Sequence, residues 1–165
     1  MMKHLFLVII LFSTLAVSAQ DDILKKGQSI PNFTIVSEAG KIEPSTLRQK
    51  VVLINFFATW CGPCLSELPV LQAKVWEKYK NNKNFILLVV GRDHTDPEVQ
   101  AFKKKFNFDL PMYPDKGKGV YSLFATKYIP RNYLIDKNGK VVYTSMGYVE
   151  KDFEEMLVKL DELLK

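Results

Sequence analysis

A β-branched and aromatic run, Val51-Val52-Leu53-Ile54-Asn55-Phe56-Phe57, leads almost directly into Trp60-Cys61-Gly62-Pro63-Cys64, which holds both cysteines of the chain. Such a run predicts a central strand buried on both faces. Beyond the cysteines, Leu65, Leu68, Leu71, Val75 and Tyr79 recur close to helical spacing and predict a helix from Pro63 to about Tyr79. A strand that turns into a helix at Cys-x-x-Cys places the first sulfur at the helix N-terminus. There, unpaired N–H groups and the helix dipole favour a thiolate over a thiol. The second sulfur lies one turn in, close enough to close a small disulfide ring. This is the arrangement of thiol–disulfide exchange.

The chain's 165 residues are enough for one domain with a full core. With 47% hydrophobic and 25% charged residues, the composition is that of a soluble globular protein. The formal net charge of +5 is spread along the chain, and its one tight run, Lys103-Lys104-Lys105, reads as the solvated face of a helix. No basic stripe with interleaved aromatics is present, so nucleic acid is not an expected partner.

Residues 1–19 have the pattern of a secretory signal peptide: Lys3 and His4, an apolar stretch from Leu5 to Leu15, then the small residues Val17-Ser18-Ala19. Gln20 would begin the mature chain, in the periplasm or another extracytoplasmic space. The alternative is an uncleaved N-terminal membrane anchor, although the apolar stretch is short against the ~20 residues a span needs. No cysteine stands near the cleavage site to carry a lipid. Export makes the cysteines informative, because disulfides persist in such compartments. Structural staples are usually far apart in sequence; these two cysteines share one tight motif and read as working residues.

Residues 20–30 are polar and predict a flexible lead. Asn32 to Val36 alternates as a strand, with a turn at Glu38-Ala39-Gly40, a return at Lys41-Ile42 and a helical turn at Pro44 to Leu47. Pro69 should kink the cysteine-bearing helix. Phe85 to Val90 predicts a second buried strand, and Asp96-Pro97 starts a helix whose apolar face is Val99, Phe102 and Phe106. A short strand at Leu110 to Tyr113 and a short helix at Val120 to Phe124 follow. Asn132 to Ile135 and Lys140 to Tyr143 form a hairpin around Asp136-Lys137-Asn138-Gly139. Phe153, Met156, Leu157, Leu160, Leu163 and Leu164 line one face of a final amphipathic helix. The fold class is α/β with a mixed sheet, parallel strands first and an antiparallel hairpin late.

A buried strand, Ala58-Thr59-Trp60-Cys61-Gly62-Pro63-Cys64, Glu67, Pro69, then Ile129-Pro130 and Leu134-Ile135-Asp136-Lys137-Asn138-Gly139-Lys140 together resemble the thioredoxin fold. More narrowly, they resemble the TlpA/ResA group of extracytoplasmic thiol–disulfide oxidoreductases. The resemblance covers residues 31–165 as one thioredoxin-like domain. It implies a central mixed β-sheet flanked by helices, an N-terminal hairpin and an inserted helix–strand element around Glu98–Tyr113.

The resemblance implies roles residue by residue. Cys61 is the nucleophile that forms a mixed disulfide, and Cys64 resolves it. Gly62-Pro63 between the cysteines leans toward the reducing members. Pro130 is a cis-proline whose loop, with Ile129, pairs with an extended substrate segment. Trp60 shields the disulfide and packs on substrate. Glu67, one turn after Cys64, is a partly buried carboxyl that relays a proton, because burial raises its pKa. Asn55 stands where classical thioredoxins carry a buried aspartate. Arg131-Asn132 departs from the two threonines common in relatives, and a charge at Arg131 would stabilise the Cys61 thiolate or select acidic substrates. The partners implied are disulfide-bearing proteins and a membrane electron donor of the DsbD/CcdA type, with cytochrome c apoproteins one candidate substrate class. No cofactor or metal is expected beyond the Cys61–Cys64 couple.

Other functions compete. The same site could run as a disulfide oxidase or isomerase, and the reduction potential separates these. A zinc half-site would need two more ligands, and only His94 remains in the mature chain. A copper-binding chaperone would use Cys61, Cys64 and His94, although His94 reads more simply as a surface-loop residue. A peroxidase would need a Pro-x-x-x-Thr-x-x-Cys pattern that is missing here.

Overall fold

The computed structural model describes residues 22–38 and 40–165. The signal peptide read at residues 1–19, the Gln20 start and Ala39 of the first turn lie outside the described residues. Ile35–Ser37 (β1) and Gly40–Ile42 (β2) form a small antiparallel hairpin, followed by the single turn Pro44–Leu47 (α1). Val51–Phe57 (β3) is buried along its whole length. Gly62–Leu71 (α2) follows, then a wide π turn at Gln72–Trp76, and Glu77–Tyr79 (α3). Pro69 has no N–H to give the preceding turn, and the helix becomes irregular just past it, near where the sequence placed a kink.

Phe85–Arg92 (β4), Asp96–Lys105 (α4), Met112–Asp115 (β5) and Tyr121–Phe124 (α5) come next. Arg131–Ile135 (β6), Val141–Met146 (β7) and Glu150–Leu164 (α6) complete the chain. Five strands form one sheet in the order β5-β4-β3-β6-β7. β3 runs parallel to β4, and β4 to β5, whereas β6 is antiparallel to both β3 and β7. This is the mixed sheet and late hairpin predicted from the sequence.

Strand alternation sorts the core into two layers. Leu53 and Phe57 of β3 pack with Leu68, Leu71, Val99, Phe102, Phe153, Met156 and Leu160, so α2, α4 and α6 share one face. Val52, Ile54 and Phe56 pack on the other face with Leu24, Leu47, Tyr121, Phe124 and Tyr133.

Two expectations change here. The polar lead is seated rather than loose: Leu24 is buried, Asp22 bridges to Ala125, and Ser29 bridges to Lys140. The backbone N–H groups of Ile23 and Leu24 both donate to the Phe124 carbonyl at 3.0 Å. An apolar side chain and backbone hydrogen bonds therefore hold a segment whose composition reads as solvated. Phe106 leaves the buried face, because α4 ends at Lys105; its ring rests on Phe102 and Phe108 at centroid distances of 4.8 and 5.9 Å.

Candidate active site

β3 delivers the chain to the edge of the sheet, and a tight turn hands it to α2. The Cys61 N–H donates to the Ala58 carbonyl at 3.1 Å, and the Cys61 carbonyl accepts the first helical bond, from Leu65, at 3.1 Å. Cys61 is thus the N-cap of α2, with extended backbone and its sulfur 3.3 Å from the Cys64 backbone nitrogen. The Cys64 amide at the head of the helix points at that sulfur, as the strand-to-helix reading required. Cys61 and Cys64 are joined as a disulfide, with Cα atoms 5.3 Å apart. Gly62 and Pro63 occupy the first helical turn, where proline's missing N–H costs little. Among the described residues, nothing crowds Gly62. Trp60, 69% exposed, stands beside the disulfide in solvent.

Beneath the cysteines lies a polar group inside the core. Glu67 is only 1% exposed, and each of its carboxyl oxygens accepts an asparagine amide. Asn55 Nδ2 donates to Oε2 at 2.8 Å and Asn132 Nδ2 to Oε1 at 2.6 Å. Asn55 also donates to Asn132 Oδ1 at 2.9 Å, and Asn132 to Ser145 Oγ at 3.2 Å. The β3–β6 register sets Asn55 directly opposite Asn132, which is why both reach one carboxyl on α2. Burial pushes the Glu67 pKa up to about 7; the bonds from Asn132 and Asn55 favour the ionised form and oppose this in part. Among the described residues, Asn55 Oδ1 is buried with no hydrogen-bond partner.

The Ile129–Pro130 peptide bond is cis. The Ile129 carbonyl oxygen lies 3.7 Å from Cys61 Sγ, so this loop does face the cysteine pair. Three anchors hold it. The Tyr121 hydroxyl donates to the Tyr128 carbonyl at 2.8 Å, Arg131 Nε to the Lys127 carbonyl at 2.8 Å, and the Gly147 N–H to the Pro130 carbonyl at 2.8 Å.

Arg131 is a correction to the sequence reading. It is 1% exposed and its guanidinium pairs with Asp22 of the lead. It lies opposite Phe56, on the face away from α2, whereas its neighbour Asn132 points to Glu67. One step along a strand reverses the face, so Arg131 neither meets the thiolate nor offers its charge to a substrate. It braces the loop instead.

His94 is a second correction. It is 6% exposed, and its Nε2 accepts the Thr59 N–H at 3.0 Å. Its Nε2 is thus engaged with the backbone of the turn before Cys61, and its Nδ1 faces Glu98 at 4.0 Å. Among the described residues, no three His, Cys, Asp or Glu side chains converge to hold a metal ion. The sequence reading also missed what Asn132 does. A signal existed: counting in twos from the core residue Leu134 puts Asn132 on the helix-bearing face, level with Asn55.

The redoxin family model matches residues 25–160. The thiol-disulfide oxidoreductase ResA of Bacillus cereus is 33% identical over 144 residues, covering 86% of this chain and 82% of that protein. A solved structure from Bacteroides thetaiotaomicron, provisionally described as a protein disulfide isomerase, is 35% identical with a TM-score of 0.83, covering 87% of this chain and 92% of its own. A second, from Chlorobium tepidum and provisionally described as the thiol:disulfide interchange protein DsbE, is 28% identical with a TM-score of 0.76, covering 86% and 99%. With the family matched along most of its length and a disulfide seated at the head of a helix, this chain belongs to the redoxin family, as a thiol–disulfide oxidoreductase of the ResA type.

Proposed function

We propose that the protein works outside the cytoplasm and reduces disulfides in other exported proteins. The Cys61 thiolate attacks one sulfur of a substrate disulfide, forming a mixed disulfide and releasing the other substrate sulfur as a thiolate that takes up a proton. Cys64 then loses its proton and attacks Cys61 Sγ. The substrate leaves fully reduced, and the two electrons of the dithiol have passed to it as Cys61–Cys64 closes. Glu67 receives the Cys64 proton: its pKa of about 7 suits exchange in either direction near neutrality. Trp60, Gly62, Pro63, Ile129 and cis-Pro130 form the surface on which an extended substrate segment lies. A membrane dithiol protein of the DsbD/CcdA type returns the pair to the reduced state.

The observation that carries this reading is Cys61 at the N-cap of α2, its sulfur facing the Cys64 amide at 3.3 Å. Helix N-terminal amides stabilise a thiolate at such a position, which supports Cys61 as the attacking sulfur. The pattern of residues 1–19 supports export. Among the described residues, no helix is long and apolar enough to cross a membrane.

The deciding measurement is the Cys61–Cys64 reduction potential, by equilibration with glutathione or dithiothreitol while following Trp60 fluorescence. The expected value is about −270 mV or lower, as for thioredoxin. A value near about −120 mV, that of a strong oxidant, would overturn the reductase reading and make the protein a disulfide donor.

A further inference from the structure

His94 is a buried imidazole that the exchange chemistry does not use, and its placement is unusually constrained. The turn after β4 fixes its backbone at both ends: its N–H donates to the Gly91 carbonyl at 3.0 Å, and its carbonyl accepts the Asp115 N–H at 3.1 Å. Asp93, in the middle of that turn, has φ +64, the left-handed region that closes it. Gly91 makes room for the side chain: a Cβ there would meet Val99 Cγ2 at 2.9 Å and His94 Cβ and Cδ2 at 3.3 Å. Phe57 of β3 packs on the ring at a centroid distance of 6.2 Å, and Glu98 of α4 faces Nδ1 at 4.0 Å.

The ring therefore aims one atom at one target, Nε2 at the Thr59 N–H. Thr59 lies two residues before Cys61 in the turn that sets Cys61 at the N-cap. An N–H can donate to Nε2 only while that nitrogen keeps its lone pair, so the ring proton belongs on Nδ1, the side facing Glu98.

We infer that His94 is a positioning residue for the attacking cysteine: through the Thr59 N–H it holds the Thr59–Trp60–Cys61 turn so that the Cys61 sulfur stays on the Cys64 amide at the helix N-terminus. A turn without this acceptor loses a backbone hydrogen bond and lets Cys61 drift from the N-cap, weakening the thiolate. The inference rests on the proposed role of Cys61 as the attacking sulfur.

The test is the pH profile of alkylation of the reduced full-length protein, with the labelled cysteine mapped by mass spectrometry. His94→Leu removes the acceptor; His94→Gln offers an amide oxygen at similar reach. The expected result is that His94→Leu slows Cys61 alkylation near neutrality by about tenfold, the equivalent of one hydrogen bond of ~1.4 kcal/mol, and moves the profile to higher pH. His94→Gln should restore the wild-type profile. A folded His94→Leu whose profile coincides with wild type, with Cys61 still the labelled residue, overturns this inference alone. So does a His94→Gln as slow as His94→Leu. Labelling at Cys64 in the wild type overturns the assignment of Cys61 as nucleophile, and the inference with it. Should His94→Leu fail to fold, nitrogen-15 NMR of the wild-type protein decides. A neutral ring with its proton on Nδ1 and a Thr59 amide protected from exchange supports the inference; a proton on Nε2 or a freely exchanging Thr59 amide overturns it.

Discussion

Burial drives Glu67 toward its neutral form, and Asn132 and Asn55 pull it back only part of the way, leaving a midpoint of about 7 against an ordinary 4.5. The folded protein therefore keeps a proton that the unfolded chain gives up across this interval. The stability linked to Glu67 is complete below 4.5 and is lost as pH rises through about 7, an effect of ~3 kcal/mol in all. Urea unfolding of the oxidised protein across that interval should show this slope, and Glu67→Gln should flatten it; an unchanged slope would place the proton elsewhere. Glu67 was legible in the sequence because three residues along a helix is one turn, and Cys64 had already been located. Asn132 was not. Its role comes from pairing with Asn55 across two strands 77 residues apart in sequence.

At the scale of the element, periodicity was a sound guide wherever an element packs along its whole length. α6 buries Phe153, Met156 and Leu160, as its pattern predicts, and leaves Val158 61% exposed. Leu160→Ala should therefore cost ~3 kcal/mol in urea unfolding, while Val158→Ala on the same helix should stay within ~0.5 kcal/mol. Equal losses would mean that helix propensity, not packing, sets the contribution of α6. The pattern failed at ends. Phe106 fits the apolar face of α4 by spacing, yet α4 stops at Lys105, one residue before it. Helix ends are set by capping and by the residues just beyond the last turn, and spacing carries neither.

For the whole molecule, the N-terminal lead is a structural part of the domain. The Gly27 N–H donates to the Val141 carbonyl at 2.7 Å, and the Val141 N–H to the Gln28 carbonyl at 2.9 Å, which ties the lead to β7. Asp22 pairs with the buried Arg131 and accepts the Tyr133 hydroxyl at 2.6 Å. Arg131 in turn holds the loop before Pro130, so the far end of the lead helps to brace one wall of the site. Asp22→Ala leaves a buried guanidinium without its carboxylate. It should lower stability by ~2 kcal/mol, less than the loss of a fully buried pair because the Asp22 side chain is one-third exposed. A variant as stable as wild type in urea would show that the lead contributes no net stability through this contact.

The sequence by itself determined the type and order of the main elements, the mixed α/β class, the cysteine pair at a helix N-terminus and the carboxyl one turn beyond it. Each comes from residues a few positions apart, where period, capping and turn chemistry act directly. Only the tertiary structure decided which side chains meet. Arg131 and Asn132 are adjacent, yet one binds the lead and the other the buried carboxyl, because strand register turns them to opposite faces. His94 reads locally as a loop residue, and only the closure of β4 beside β3 brings its ring beneath the turn that carries Cys61. Contacts between distant segments are fixed by register and packing, and no local pattern in the chain encodes them.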